Sequence, residues 1–198
     1  LALGAALRKN VSEMIDHFKA KGALISFDVN YRATLWDEQT AKHEILSLLP
    51  KIDILFVSEE TLRRMFGQTG ELTEIHRRFS DEFPNLKLII STKRTATTPT
   101  RHTFTSLAYD CTEKRHYFEE PYRDIEVVDR IGSGDAYVAG ALYGILKYHT
   151  IEQAVKFGNA MAAVKNTISG DMTVCDHQDI VRVIRAHDGS GDKSEMVR

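Results

Sequence analysis

The chain has little cysteine: two residues in 198, Cys111 and Cys175, with no CxxC pair and no histidine at zinc-ligand spacing beside either. That argues against a disulfide framework or a cysteine-built metal knuckle, and it fits reduced thiols in a cytoplasmic protein. No apolar run approaches the roughly 20 residues that a membrane-spanning helix requires, and no signal-peptide pattern is visible. Neither sign of charge dominates, with 26 basic and 28 acidic side chains and a formal net charge of -2. Nothing electrostatic therefore points to nucleic acid or an anionic membrane as partner, although a few directed donors could still bind phosphate. An initiating Met is also lacking. Leu1 opens within an apparent helix, so the chain is expected to be a piece of something longer.

What the chain does have is apolar content and a regular pattern. At 42% hydrophobic it can bury a core. Leu3, Leu7, Val11, Ile15 and Phe18 recur at helical spacing, which predicts an amphipathic helix over 2–20. Ala23–Val29 and Asp53–Val57 read as short buried strands, and Leu86–Ser91 as a third. Helices are expected from an Asp37 cap to Leu49, over Ser58–Phe66 and over Leu72–Phe83. From Arg101 to Glu120 a hairpin is expected, with its turn at Asp110–Glu113. Helices then follow at about Asp135–Tyr148, Ile151–Thr167 and from an Asp176/Asp179 start to His187. Strands alternating with such helices predict an α/β fold: a mostly parallel central sheet with helices on both faces. Residues 1–187 would form this domain, and 188–198 a disordered polar tail.

The stretch Asp129-Arg130-Ile131-Gly132-Ser133-Gly134-Asp135 is the most informative. Small residues at 132–134 leave backbone N–H groups unobstructed, and the helix that follows adds unsatisfied N–H groups and a positive dipole end. Together they suit an anion such as a phosphoryl group in transfer. A carboxylate beside a phosphate site repels its ligand, so Asp135 calls for a reason. Either it accepts the proton of an attacking hydroxyl, or it caps the helix. No Lys-Ser/Thr follows the glycines, so this is not a Walker A loop. Position 137 is Tyr where the dinucleotide fingerprint needs glycine, which disfavours a Rossmann oxidoreductase.

Asp129–Leu142, DRIGSGDAYVAGAL, resembles the C-terminal signature of the ribokinase-like (PfkB) carbohydrate kinases, D-T-x-G-A-G-D-x-F. Asp28–Trp36, DVNYRATLW, is similar to the D-x-N-x-R-x-x-L-W stretch of the 2-keto-3-deoxygluconate (KDG) kinases within that family. The resemblance covers residues 2–187. It implies an α/β/α sandwich, and an ATP- and Mg2+-dependent kinase that phosphorylates the primary hydroxyl of a sugar acid, most closely 2-dehydro-3-deoxy-D-gluconate. Another sugar of the fructokinase or ribokinase type, or a non-catalytic nucleotide-binding paralogue, stays open. Relatives extend further at the N-terminus, where the family carries its first strands and a small lid. The lid part is expected to be missing here, and turnover by this chain alone is expected to be low, since closure excludes water from such a site.

The resemblance assigns Asp135 as catalytic base, also touching the sugar, and Gly132, Ser133 and Gly134 as the anion hole. Arg32 becomes the clamp on the substrate carboxylate, because a guanidinium grips a carboxylate with paired hydrogen bonds; an ion pair to Asp28 or Asp37 is the alternative. Asn30, Thr92, Lys93, Arg94, Gly132, Gly134 and Asn159 are the implied nucleotide contacts. Residues 91–97 stand where the family has a glycine turn, and the basic run there could equally be an exposed turn. Alanines packed against a sheet would equally explain the helix around Asn159. Glu60 is the candidate for organising Mg2+, with stabilisation of a helix N-terminus as the alternative. The implied partners are small molecules, a sugar acid and ATP, with a homo-oligomer possible.

Overall fold

The computed structural model describes residues 1–189. These divide into two compact units, one formed by Leu1–Lys93 with Leu107–Tyr117, the other by Arg94–Ser106 with the chain from Phe118 onward.

In the first unit the buried strands form as the apolar runs require. β1 (Ser26–Asp28), β2 (Ile54–Phe56) and β3 (Leu88–Thr98) pair in parallel, and the sheet continues in the order β1-β2-β3-β4-β5, with β4 at Arg101–Asp110 and β5 at Arg115–Phe118. All three residues of β2 are buried, so this strand is covered on both faces. The cover comes from α1 (Ala5–Ala20), α2 (Glu38–Leu48), α3 (Glu59–Arg64) and α4 (Leu72–Glu82). Ile45, Leu48, Leu55, Leu62, Ile75, Phe79 and Ile89 form one core. The Asp37 carboxylate accepts from Thr40 N at 2.8 Å and starts α2, while Pro50 turns the chain through a short 3-10 segment, Leu49–Lys51.

Two expectations change here. Residues 91–97 are strand, part of an eleven-residue β3, rather than a glycine-type turn. Their Thr-rich, β-branched composition suits an extended ladder and supplies no residue for a positive φ. The hairpin forms within its expected span as β4 and β5, but β4 also pairs antiparallel with an unforeseen strand, β6 (Tyr122–Glu126), through His102↔Ile125.

The second unit holds this pairing together with α5 (Ser133–Tyr148), α6 (Ile151–Asn166) and α7 (His177–His187). Helices α5 and α6 approach until a Cβ on Gly140 would lie 2.5 Å from Phe157 O, and one on Gly144 2.4 Å from Gln153 O. Asp176 and Asp179 form the expected reciprocal cap of α7. Of the expected tail, Asp188 is held by Lys156 at 2.9 Å, and residues 190–198 lie outside the described residues.

Within the first unit, His76 is fully buried, bonds Ser91 Oγ at 2.8 Å and stacks on His116. Burial, then the neighbouring His116, pushes its pKa down to about 3 from 6.5. The unfolded chain takes up this proton near pH 6.5, whereas the folded chain does so only near 3. Stability should therefore fall as pH drops through that window, by at most about 1.4 kcal/mol per pH unit. Urea denaturation of His76→Gln across the window should show a shallower slope than the parent; an equal slope would remove His76 as the cause.

Candidate active site

The second unit holds the glycine turn. Asp129 organises it: Oδ1 accepts from Ile131 N at 3.0 Å and Oδ2 from Gly170 N at 3.1 Å. The Ile131 amide leads the effects that hold the Asp129 carboxyl below its usual range. One carboxylate thus joins the turn to the segment that follows α6. Gly132 caps α5 in the left-handed region, φ 76° and ψ 0°, and a Cβ there would stand 2.0 Å from Asp171 O. No side chain fits that position.

At the start of α5, Gly134 is exposed with open space where a Cβ would stand, and Asp135 is exposed in the first turn. Amides in a first turn have no carbonyl behind them, so those of Gly134 and Asp135 are available to an anion. Ser133 departs from expectation. Its N–H is turned to Arg130 O at 3.2 Å and the residue is buried, so the cradle narrows to the glycines and Asp135. The cap of α5 involves no side chain, which removes helix capping as the role of Asp135. Its carboxylate makes no hydrogen bond or ion pair among the described residues.

Asn159 also departs from expectation. It is fully buried, its Oδ1 accepts from Ser106 Oγ at 2.8 Å and its Nδ2 donates to Glu119 Oε2 at 2.9 Å. Both ends of the amide serve as an internal bridge between strand and helix, and no face is left open to a base or ribose. Burial raises the Glu119 pKa, against the opposing bond from Asn159. Glu119 was missed at the sequence level because a single acid after a hairpin strand carries no pattern. Arg94 is exposed on β3 in this unit, near enough to His102 to help depress its pKa after burial.

The remaining candidates lie in the first unit. Asn30 follows β1 at φ 34°, with its N–H on Asp28 Oδ1 at 3.3 Å, a turn that asparagine tolerates. Arg32 is exposed in the next turn, where Leu35 N bonds its carbonyl, and the Asp37 carboxylate is taken by Thr40. Tyr31 pins this segment, donating from its hydroxyl to Trp36 O at 3.2 Å and lying under the Arg64 guanidinium.

Glu60 is placed outward, its side chain 81% exposed and 3.5 Å from Arg64. Its neighbour Glu59 is the inward acid, 14% exposed, held by Arg63 at 2.7 Å and by Lys93 at 3.2 Å. Burial pushes the Glu59 pKa up, but these two cations outweigh it and keep the carboxylate ionised. Lys93 is thus tied to α3, and Thr92 is half-buried on β3. Among the described residues no three His, Cys, Asp or Glu side chains cluster as a metal site. Glu60, the magnesium candidate, faces outward, one helical step round from the acid that faces in.

The pattern of the pfkB family carbohydrate kinases matches residues 3–178, which include the Gly132 turn and the Asp28–Trp36 segment. The chain belongs to this family. The 2-dehydro-3-deoxygalactonokinase of Haloferax volcanii is 29% identical over 192 residues, covering 97% of this chain and 57% of that protein. A solved PfkB family carbohydrate kinase from Listeria grayi aligns with a TM-score of 0.85 at 33% identity, over 92% of this chain and 57% of its own. The 2-dehydro-3-deoxygluconokinase structure from Thermotoga maritima gives a TM-score of 0.85 at 25% identity, over 92% of this chain and 56% of its own. The chain spans a little over half the length of these relatives. Its fold is the ribokinase-like α/β fold of the pfkB kinases.

In this pfkB chain, Gly132→Ala combines a positive φ with a backbone overlap. It should cost about 2–4 kcal/mol in denaturant unfolding, whereas Gly134→Ala, in open space, should cost under about 1 kcal/mol. Equal costs at the two positions would contradict the close approach to Asp171.

Proposed function

We propose that the protein is an ATP-dependent sugar kinase whose proton acceptor is Asp135. The observation that carries this reading is an exposed carboxylate, uncommitted to any partner among the described residues, in the first turn of a helix where the Gly134 and Asp135 amides are open. Gly132, with no side chain, is the cap of that helix, and Asp135 stands in its first turn without bonding the cap. In the proposed reaction the sugar hydroxyl oxygen attacks the γ-phosphorus of ATP, the bond to the β-phosphate bridging oxygen breaks, and the hydroxyl proton passes to Asp135. The amides of Gly134 and Asp135 stabilise charge on the moving phosphoryl group. Magnesium bound with ATP would neutralise phosphate charge.

The substrate we favour is a 2-keto-3-deoxy sugar acid, with 2-dehydro-3-deoxy-D-gluconate giving its 6-phosphate. What supports this is Arg32, exposed after β1 and passed over by the Asp37 carboxylate, in the segment that resembles the KDG kinases. Asn30, Thr92 and Arg94 remain proposed nucleotide contacts. A neutral sugar is the competing substrate class.

In a turnover-competent form of the protein, Asp135→Asn should lower kcat by about 10²–10⁴-fold and leave ATP affinity within a few-fold, read by a coupled ADP assay and titration calorimetry. Unchanged turnover would remove Asp135 as the base. Arg32→Ala should raise KM for the sugar acid by roughly tenfold or more and leave KM for fructose nearly unaltered. Equal effects on both would exclude a carboxylate clamp.

A further inference from the structure

Among the described residues, Lys165 is a lysine with no exposed surface at all. Taking an ammonium out of water costs several kcal/mol unless the interior supplies compensating groups. Among the described residues no carboxylate lies within ion-pair distance of Lys165. Its Nζ instead donates to two backbone carbonyls, Asp129 O at 3.2 Å and Ile168 O at 2.9 Å. The residue stands in the last turn of α6, where the carbonyl end of the helix carries negative partial charge that further compensates a cation.

The two carbonyls belong to different segments. Asp129 opens the glycine turn, and Ile168 lies in the reversal that follows α6. The same two segments are bound by Val128 N and Asp129 N on Asn166 O, at 2.8 and 3.2 Å, and by Gly170 N on Asp129 Oδ2. Gly132 then lies against Asp171. Lys165 is the side-chain cation among these ties. Were filling space all that is needed, an apolar residue would do so at lower cost. The placement makes sense for a group that must satisfy oxygens from both segments at once.

We propose that Lys165 is a positioning residue for the phosphate-binding turn. Its ammonium bridges Asp129 O to Ile168 O, and so fixes where the Gly134 and Asp135 amides and the Asp135 carboxylate point. The consequence for catalysis rests on the phosphoryl-transfer reading above; the bridge itself does not.

Amide hydrogen exchange on the full chain tests the bridge without reference to activity. Lys165→Met keeps most of the volume and removes the donors; Lys165→Ala leaves room for a small cation. In Lys165→Met the amides of Ile131 and Gly170 should exchange about tenfold faster or more, while amides inside α5 and α6 keep their protection. In Lys165→Ala, ammonium chloride should slow exchange at Ile131 and Gly170 again, and sodium chloride at equal ionic strength should not. Unchanged exchange at the two amides, or acceleration spread evenly through α5 and α6, would overturn the proposal. Failure of both variants to fold would do the same, by assigning Lys165 to the fold as a whole. In a turnover-competent form, Lys165→Met should lower kcat more than it raises KM. If Asp135→Asn leaves turnover intact while the exchange result holds, the kinase reading fails and the bridge stands.

Discussion

The second unit depends on one carboxylate shared between two backbone amides. Asp129 holds Ile131 N and Gly170 N, which lie far apart in the chain, and thereby decides where α5 begins. A helix that started one residue later would present a different pair of first-turn amides and rotate Asp135 by about 100°. Charge-assisted hydrogen bonds are the stronger kind, and two of them on one side chain make a fixed point from a loop that glycine would otherwise leave pliable. Gly132 completes the arrangement through its lack of a side chain, since Asp171 O occupies the space a Cβ would need.

Around that fixed point the packing is dense and several polar groups bridge its elements. Gly140 and Gly144 bring α5 and α6 together, so the anchor for the turn is a rigid helix pair. Asn159, Ser106 and Glu119 join α6 to the strands beside it by buried hydrogen bonds, interactions that specify one arrangement because leaving any member unmade is costly. Asp135 is the contrast. It is exposed in the first turn of α5, and its carboxylate has no hydrogen bond or ion pair among the described residues.

The first unit shows a comparable division of labour between adjacent acids. Glu59 and Glu60 are consecutive, yet one turns in to Arg63 and Lys93 and the other out to Arg64. Successive helix positions differ by about 100°, so nothing in the pair's composition says which will face the sheet. That choice falls to α3, whose buried Leu62 sets the inward side. The same logic accounts for Asn159. Its neighbours in sequence are small and suggest an open surface, and only the strand laid across the helix closes it off.

Local chemistry was enough to mark the elements. Apolar runs gave the parallel strands, Asp37 and the Asp176/Asp179 pair gave helix starts, and the glycine turn with its acid gave the family. These features are legible because each depends on residues a few positions apart, through backbone sterics and hydrogen bonds that need no distant partner. The length of β3, the existence of β6, the inward turn of Ser133, the roles of Asn159 and Glu119, and the burial of Lys165 were decided by tertiary structure. Each depends on which remote backbone or side chain arrives to take a hydrogen bond or exclude water, and that partner is specified by the packing of the whole unit.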